Sequence, residues 1–165
     1  MAKPRITSLR NAAQQRLTND LIMEGERIMK RAYESRDFKD RTYNLHDSYG
    51  SAVYHNGLLV KDSIRTLSPM ATKPKKWYGE LMYGHDEVVD YLMRYKPRSS
   101  GFQLVVVAQM PYGEILEEGR GNLKRKYKVI SGINSEMSQA ARDFMGKYGG
   151  RRGTKVTVRR IEDAI

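Results

Sequence analysis

The first third of the chain constrains its fold more than any other stretch. Between Ser8 and Arg36, Leu9, Ala13, Leu17, Leu21, Ile28 and Ala32 recur at spacings of four and seven, the repeat of one face of an α-helix. Ile22, Met29 and Tyr33 widen this stripe, and Arg16, Asp20, Glu26, Lys30 and Glu34 take the remaining positions. Ser8 is the expected N-cap, and Gly25 interrupts an otherwise good helix former. Such a helix is about 40 Å long at 1.5 Å per residue. A stripe of that length stays dry only against a sheet or against neighbouring subunits.

The remaining elements follow from turn chemistry and apolar runs. Ser48 to Leu67 reads as a β-hairpin, because Asn56-Gly57 sits between Val53-Tyr54 and Leu58–Val60 and both turn residues tolerate positive φ. Asp86 to Tyr95 has a short helical pattern, with Val88, Val89, Leu92 and Met93 on one side. Phe102 to Met110, centred on Leu104-Val105-Val106-Val107, is the strongest strand, and so continuous a run predicts a central strand covered on both faces. Tyr112 to Glu118 forms one or two helical turns stopped at Gly119, and Ser131 to Tyr148 forms a last helix. After the hinge Gly149–Gly153, Val156, Val158 and Ile161 punctuate a basic stretch, the pattern of an edge strand or arm. The sum is α+β: a long N-terminal helix and a C-terminal helix packed on a small, mostly antiparallel sheet. One domain over 1–148 is expected, with an insert at 68–100 outside the compact core and a hinge and β-arm at 149–165. Leu104, Val106, Leu45 and the Leu17/Leu21 stripe are expected to share its core.

Composition narrows the chemistry. At 165 residues the chain is long enough for one real core. It has no cysteine, which excludes disulfides and thiolate metal sites and fits a reducing compartment. The polar start Met1–Leu9 lacks the apolar segment of a signal peptide, and the longest apolar run, Leu104–Ala108, is far too short to span a membrane. His46, His55 and His85 stand at no metal-ligand spacing, Gly149–Gly153 lacks the GK[ST] of a phosphate loop, and no GxSxG occurs. No catalytic, cofactor or metal set is read, and the chain is not expected to be an enzyme.

The net charge of +11 is concentrated toward the C-terminus. Arg120 to Arg160 holds twelve Lys/Arg against Glu136 and Asp143. A polyanion or an acidic protein surface is the partner such a span fits, with Arg120, Lys124, Arg125, Lys126, Arg151 and Arg152 as the candidates for a DNA channel or an acidic neighbour. Eleven tyrosines against three phenylalanines favour protein–protein contact, since tyrosine joins a large apolar area to a polar tip. Trp77, Tyr78, Tyr83, Tyr112, Val156 and Val158 are the candidate subunit-interface residues. The insert and the arm are expected to carry those contacts.

Two segments add a resemblance. Arg41-Thr42-Tyr43-Asn44-Leu45-His46-Asp47-Ser48, directly after the long helix, is similar to R-T-G-x-L-x-x-S. Pro111-Tyr112-Gly113-Glu114-Ile115-Leu116-Glu117-Glu118-Gly119, directly after the best strand, is similar to P-Y-A-x-x-x-E-x-G. In this order, and with helices before the first and after the second, they resemble the head–tail connector or tail-completion (minor neck) family of tailed bacteriophages. The likeness covers about Leu9 to Tyr148. Tyr43 and Gly113 stand where that family often has Gly and Ala, and Tyr78–Gly84 echoes the second motif. Arg41, Thr42, Leu45, Ser48 and Gly119 are read as fold-maintaining residues, with Leu45 anchored in the core and Gly119 releasing the chain. The resemblance implies a structural virion protein, made in the host cytoplasm and assembled into the neck or tail region. It further implies a ring of six or twelve copies, contacts with the portal or adjacent neck and tail proteins, and DNA passing through the channel, with no membrane. A small basic nucleic-acid-binding protein is the alternative.

Overall fold

The computed structural model describes residues 3–35, 37, 39, 43–64, 74–77, 79–121, 123–129 and 134–148. The elements in chain order are α1 (Lys3–Glu34), α2 (Asn44–Asp47), β1 (Tyr49–His55), β2 (Leu58–Ile64), β3 (Lys75–Trp77), β4 (Glu80–Met82), α3 (Gly84–Arg94), β5 (Phe102–Ala108), α4 (Pro111–Glu118) and α5 (Asn134–Tyr148). This is α+β, as the patterning implies. Helix α1 starts at Lys3, five residues before the expected cap at Ser8. Pro4 is no obstacle there, because first-turn N–H groups have no partner within the helix.

Strands β2, β1 and β5 form an antiparallel sheet in that order, and β3 and β4 form a separate hairpin. The β1–β2 turn has φ 51° at Asn56 and 85° at Gly57, which is why Asn-Gly announces it. Asn56 also binds the loop before β5: its N–H donates to Gly101 O (2.9 Å) and its Oδ1 accepts from Gly101 N (2.8 Å). Tyr49 to His55 pair residue by residue with Ala108 to Phe102.

Among the described strands the central one is therefore β1, and the expectation that Phe102–Met110 is central is corrected there: β5 lies at an edge of this three-stranded sheet. Its two faces are covered nonetheless. Val105 and Val107 belong to a cluster with Ala52, Tyr54, Val88 and Leu92 on the α3 face, while Val106 and Ala108 pack on the cluster of Ile28, Met29, Ala32, Leu45, Tyr49 and Met110 on the α1 face. Cover on both faces selects a continuous apolar run, whichever edges are bonded. In β1, by contrast, small residues let helices approach from both sides. A Cβ on Gly25 of α1 would lie 2.7 Å from Ser51 Oγ, and a Cβ on Gly50 would lie 2.5 Å from Val88 Cγ2. Gly25 thus costs helix propensity and permits contact between helix and sheet.

Two further expectations change. The segment 68–100 is not wholly outside the core, because α3 brings Val88 (0% exposed) and Leu92 (2%) onto the sheet. Its pattern was legible, but its partner, the Gly50–Ala52–Tyr54 face of β1, was not. Nor do Leu17 and Leu21 share the core with Leu45, since both are only half-buried. Helix α1 is about 48 Å long and a seven-residue strand about 24 Å, so only the C-terminal half of the helix finds sheet beneath it. Ala12, Ala13 and Arg16 are exposed on the overhanging half.

Candidate assembly surface

The two motifs, far apart in sequence, build one junction at the end of the sheet. After α1 the chain turns at Tyr43, whose φ of 57° and ψ of 4° are left-handed, a conformation costly for a side-chain-bearing residue and free for glycine. Asn44, fully buried, accepts the N–H of Gly84 on its Oδ1 (3.1 Å) and so ties this turn to the start of α3. Leu45 is fully buried in the core on the α1 face. Ser48 Oγ donates to Leu45 O (2.8 Å) and closes the short helix α2. Asp47, also fully buried, meets His46 Nδ1 at 2.7 Å, and the His46 ring stands edge-on to Tyr33 at 4.1 Å.

The second motif arrives from β5. Gln109 N–H donates to Ser48 O (3.2 Å), joining the two motifs through backbone. Pro111 occupies the first turn of α4, where its missing N–H costs nothing. Gly119 ends the helix at φ 67°. A methyl on Gly113 would sit 3.4 Å from Leu45 Cδ1 and 3.6 Å from Val129 Cγ1, ordinary contact distances, so alanine fits this position. Glu117 Oε1 accepts Val129 N–H (3.1 Å) and Tyr49 Oη donates to Val129 O (2.8 Å), which seals the junction with the extended segment that follows α4.

That segment carries the basic run. Lys124, Arg125, Lys126 and Lys128 are exposed. Arg120 pairs with Glu118. Arg125 is tied to Asp37 by an ion pair at 3.6 Å and a bond to the Asp37 carbonyl at 3.1 Å, and its guanidinium lies 5.0 Å from the Tyr127 ring centroid. Lys124, Lys126 and Lys128 have no ion pair among the described residues. Of the candidate cations, Lys124 and Lys126 are thus available to an external anion, while Arg120 and Arg125 have partners within the chain.

The aromatic candidates separate similarly. Tyr112 packs against the core on the α1 face with its hydroxyl buried, so it serves this chain's own interior and is not an exposed anchor. Tyr83, half-buried, precedes α3. Trp77 lies in β3 opposite Glu80. Arg41, Thr42, Tyr78, Arg151, Arg152, Val156 and Val158 fall outside the described residues, as does the arm that contains the last four.

Sequence reasoning missed one exposed apolar stretch. In β2, Leu58 is 71% exposed, Leu59 45% and Val60 47%, along an edge with no partner strand among the described residues. Three successive apolar residues in a strand put side chains on both faces, and β2 extends beyond the cover of α1 and α3. That was the available signal. Lys61 Nζ, next along, donates to Asn19 Oδ1 of α1 (2.8 Å).

Helix α5 returns alongside α1. Asp20 receives both Lys147 Nζ (2.7 Å) and the Tyr148 hydroxyl. The Lys147 bond, then the Tyr148 bond, hold the Asp20 carboxyl below the usual carboxylate range, and the same Asp20 contact raises Lys147. Open grooves flank the α1–α5 contact, one of them formed by Leu17, Arg16, Phe102, Lys147 and Tyr148. The described residues contain no cluster of three or more His, Cys, Asp or Glu able to hold a metal. His55 stacks on Phe102 (4.1 Å, 13°) and His85 neighbours Asp86. No described helix is long and apolar enough to cross a membrane. Comparison with protein-family models, with curated proteins and with solved structures gives no match.

Proposed function

We propose that this chain is a structural virion protein of a tailed bacteriophage, a subunit of the neck or tail-completion ring that joins capsid and portal to tail. The observation that carries this reading is the convergence of the two motifs: Leu45 of the first lies 3.4 Å from the Cβ position of Gly113 in the second, and Ser48 O accepts from Gln109 N–H. The departures from the family pattern make physical sense at the same place. Tyr43 has the left-handed backbone that a family glycine would adopt freely, and position 113 has room for the family's alanine. The role is geometric and not catalytic. Copies related by a cyclic axis need two different surfaces; the exposed Leu58–Val60 stretch of β2 is one of them, because exposed apolar residues on an edge strand offer a template for a neighbour. Six or twelve copies would be the ring size that the resemblance implies.

The test is quantitative mass spectrometry of purified particles together with an amber mutation in the gene. The expected result is the chain at a fixed ring stoichiometry and, in the mutant, filled heads separated from tails. Absence from particles, with head–tail joining intact, overturns the reading.

A second reading, a small nucleic-acid-binding protein, is favoured by the exposed Lys124, Lys126 and Lys128. It predicts DNA affinity that falls steeply between 50 and 200 mM salt, by roughly tenfold or more for a few phosphate contacts, and a chain found with nucleic acid but not in virions.

A further inference from the structure

Strand β2 exposes its apolar start, Leu58-Leu59-Val60, while its backbone is guarded. Charge and bulges discourage strand pairing along an edge, and β2 has both. Lys61 and Asp62 follow Val60, and the register with β1 shifts opposite Val53/Tyr54. A partner that covers these side chains therefore takes them into a groove and does not extend the sheet.

The grooves beside the α1–α5 contact differ in what they accept. One is lined by Arg27, Arg31 and Arg142 with Glu24 and Asp143, and an apolar side chain seated there would take charges out of water. The other, of about 610 Å³, has Ala13, Leu17, Phe102 and Tyr148 in its lining, with Arg16 and Lys147. Ala13 is exposed and Leu17, Phe102 and Tyr148 are half-buried, so apolar surface is left there to cover. Lys147 is held by Asp20 (2.7 Å), which leaves Arg16 as the groove's uncompensated charge. Asp62, exposed and without an ion pair among the described residues, is the opposite charge just past the apolar stretch of β2. In a chain of net charge +11, contact between two copies is least opposed where charges cancel in this way.

The register of the sheet puts these two surfaces at opposite edges and at one level. His55 of the central strand pairs with Leu58 on one side and with Phe102 on the other, and its ring stacks on Phe102 (4.1 Å). The row Leu58–His55–Phe102 therefore crosses all three strands, from the apolar stretch to the groove, over about 10 Å at about 4.8 Å per strand. Copies set side by side along this row bring the start of β2 in one to the groove of the next. Such a contact is head-to-tail, and it uses the two different surfaces that a closed ring requires.

We infer that the groove of Ala13, Leu17, Phe102 and Tyr148 receives the Leu58 end of β2 from a second copy of this chain, a contact that supplies the second surface of the proposed ring and rests on that reading for its closure.

Two experiments on the full-length protein test it. The chain has no cysteine of its own, and Leu58 and Ala13 are both exposed, so Leu58→Cys and Ala13→Cys leave the core untouched. The two variants are purified separately, then oxidised alone and mixed. The mixture is expected to yield a disulfide-linked dimer joining position 58 to position 13, and neither variant alone should yield a dimer. In sedimentation at rising concentration, the wild type is expected to self-associate and Leu58→Asp to lose that association. No linked product in the mixture overturns the inference, as does a dimer of Leu58→Cys alone, which would seat β2 against a second β2. So does a Leu58→Asp chain that associates like the wild type. The ring reading falls separately. A 58-to-13 link in a chain absent from virions keeps the contact and removes the virion role, whereas a chain present at ring stoichiometry without the link does the reverse.

Discussion

The α1 face of the sheet is closed by segments drawn from the whole chain, whereas among the described residues the opposite face is closed by α3 alone. On the first, Ile28, Met29 and Ala32 of α1 meet Leu45, Met110, Val129 and Ala140. On the second, Val88 and Leu92 of one eleven-residue helix meet Ala52, Tyr54, Val105 and Val107, with Tyr91 and Tyr95 at the margin. A many-segment face can lose one contact and still be held by the others. A face covered by one short helix depends on where that helix begins. That point is Gly84, whose N–H bonds Asn44 and whose Cβ position lies 1.8 Å from Asn44 O. The first motif therefore governs both faces, through Leu45 on one and through Asn44 on the other.

The sharpest way to break this arrangement is Gly84→Ala. Backbone cannot yield as a side-chain tip does, so the variant is expected to lose about 3 kcal/mol or more. Amide exchange should reveal α3 as the first element to open. A loss below about 1 kcal/mol would mean that α3 is not seated through Asn44.

Next in size is a pair of glycine substitutions on the α1 face with opposite signs. Gly25→Ala gains about 1 kcal/mol of helix propensity but places a methyl 2.7 Å from Ser51 Oγ and 3.0 Å from Leu104 Cδ1, an overpacking that costs about 1–3 kcal/mol. The net is a loss of about 1 kcal/mol. Gly113→Ala meets only ordinary contacts and is expected to gain about 0.5–1 kcal/mol. Urea melts of both variants check the signs.

Tyr54→Phe probes the α3 face. The Tyr54 hydroxyl donates to Leu92 O (2.6 Å), and its removal is expected to cost about 1 kcal/mol at neutral pH. Burial pushes the Tyr54 phenol up to about 12, with Tyr95 and Tyr91 adding to the shift. The folded state thus holds this proton more tightly than the unfolded chain, whose tyrosines titrate near about 10. Its contribution is complete below pH about 10 and is lost as pH climbs toward about 12. The variant should show a shallower alkaline decline than the wild type, though not a flat one, since burial also raises Tyr91.

The smallest effect belongs to the exposed α1–α5 tie. Asp20 ionises more readily in the folded state, so its contribution is present above the unfolded value of about 3.9 and is lost as pH falls through the lower folded value. Asp20→Asn should leave the neutral melting temperature nearly unchanged and weaken the acid dependence below pH about 4. A large neutral effect would mean that this end of α5 is held by Asp20 and not by Ala140 in the core.

Much of the secondary structure was legible because it rests on local chemistry. The spacing from Leu9 to Ala32 declares α1, Asn56-Gly57 declares the β1–β2 turn, and Pro111 with Gly119 brackets α4. The candidate surface was legible only in part. The exposure of Lys124 and Lys126 follows from their charge, but the capture of Arg125 by Asp37 and of Tyr112 by the core joins residues distant in sequence. The apolar β2 edge went unread because Leu58-Leu59-Val60 looks like core until the reach of the covering helices is known.

By itself, then, the sequence determined the long helix, the hairpin, the apolar strand and the α+β class, since periodicity and turn residues act within a few positions of one another. Only the tertiary structure decided that β1 and not β5 is the central strand among those described, that α3 closes a face of the core, that half of α1 overhangs the sheet, and that Leu45 meets Gly113. These outcomes depend on which surfaces come together across the chain, and small residues such as Gly25, Gly50 and Gly84 become necessary only once a particular neighbour lies against them.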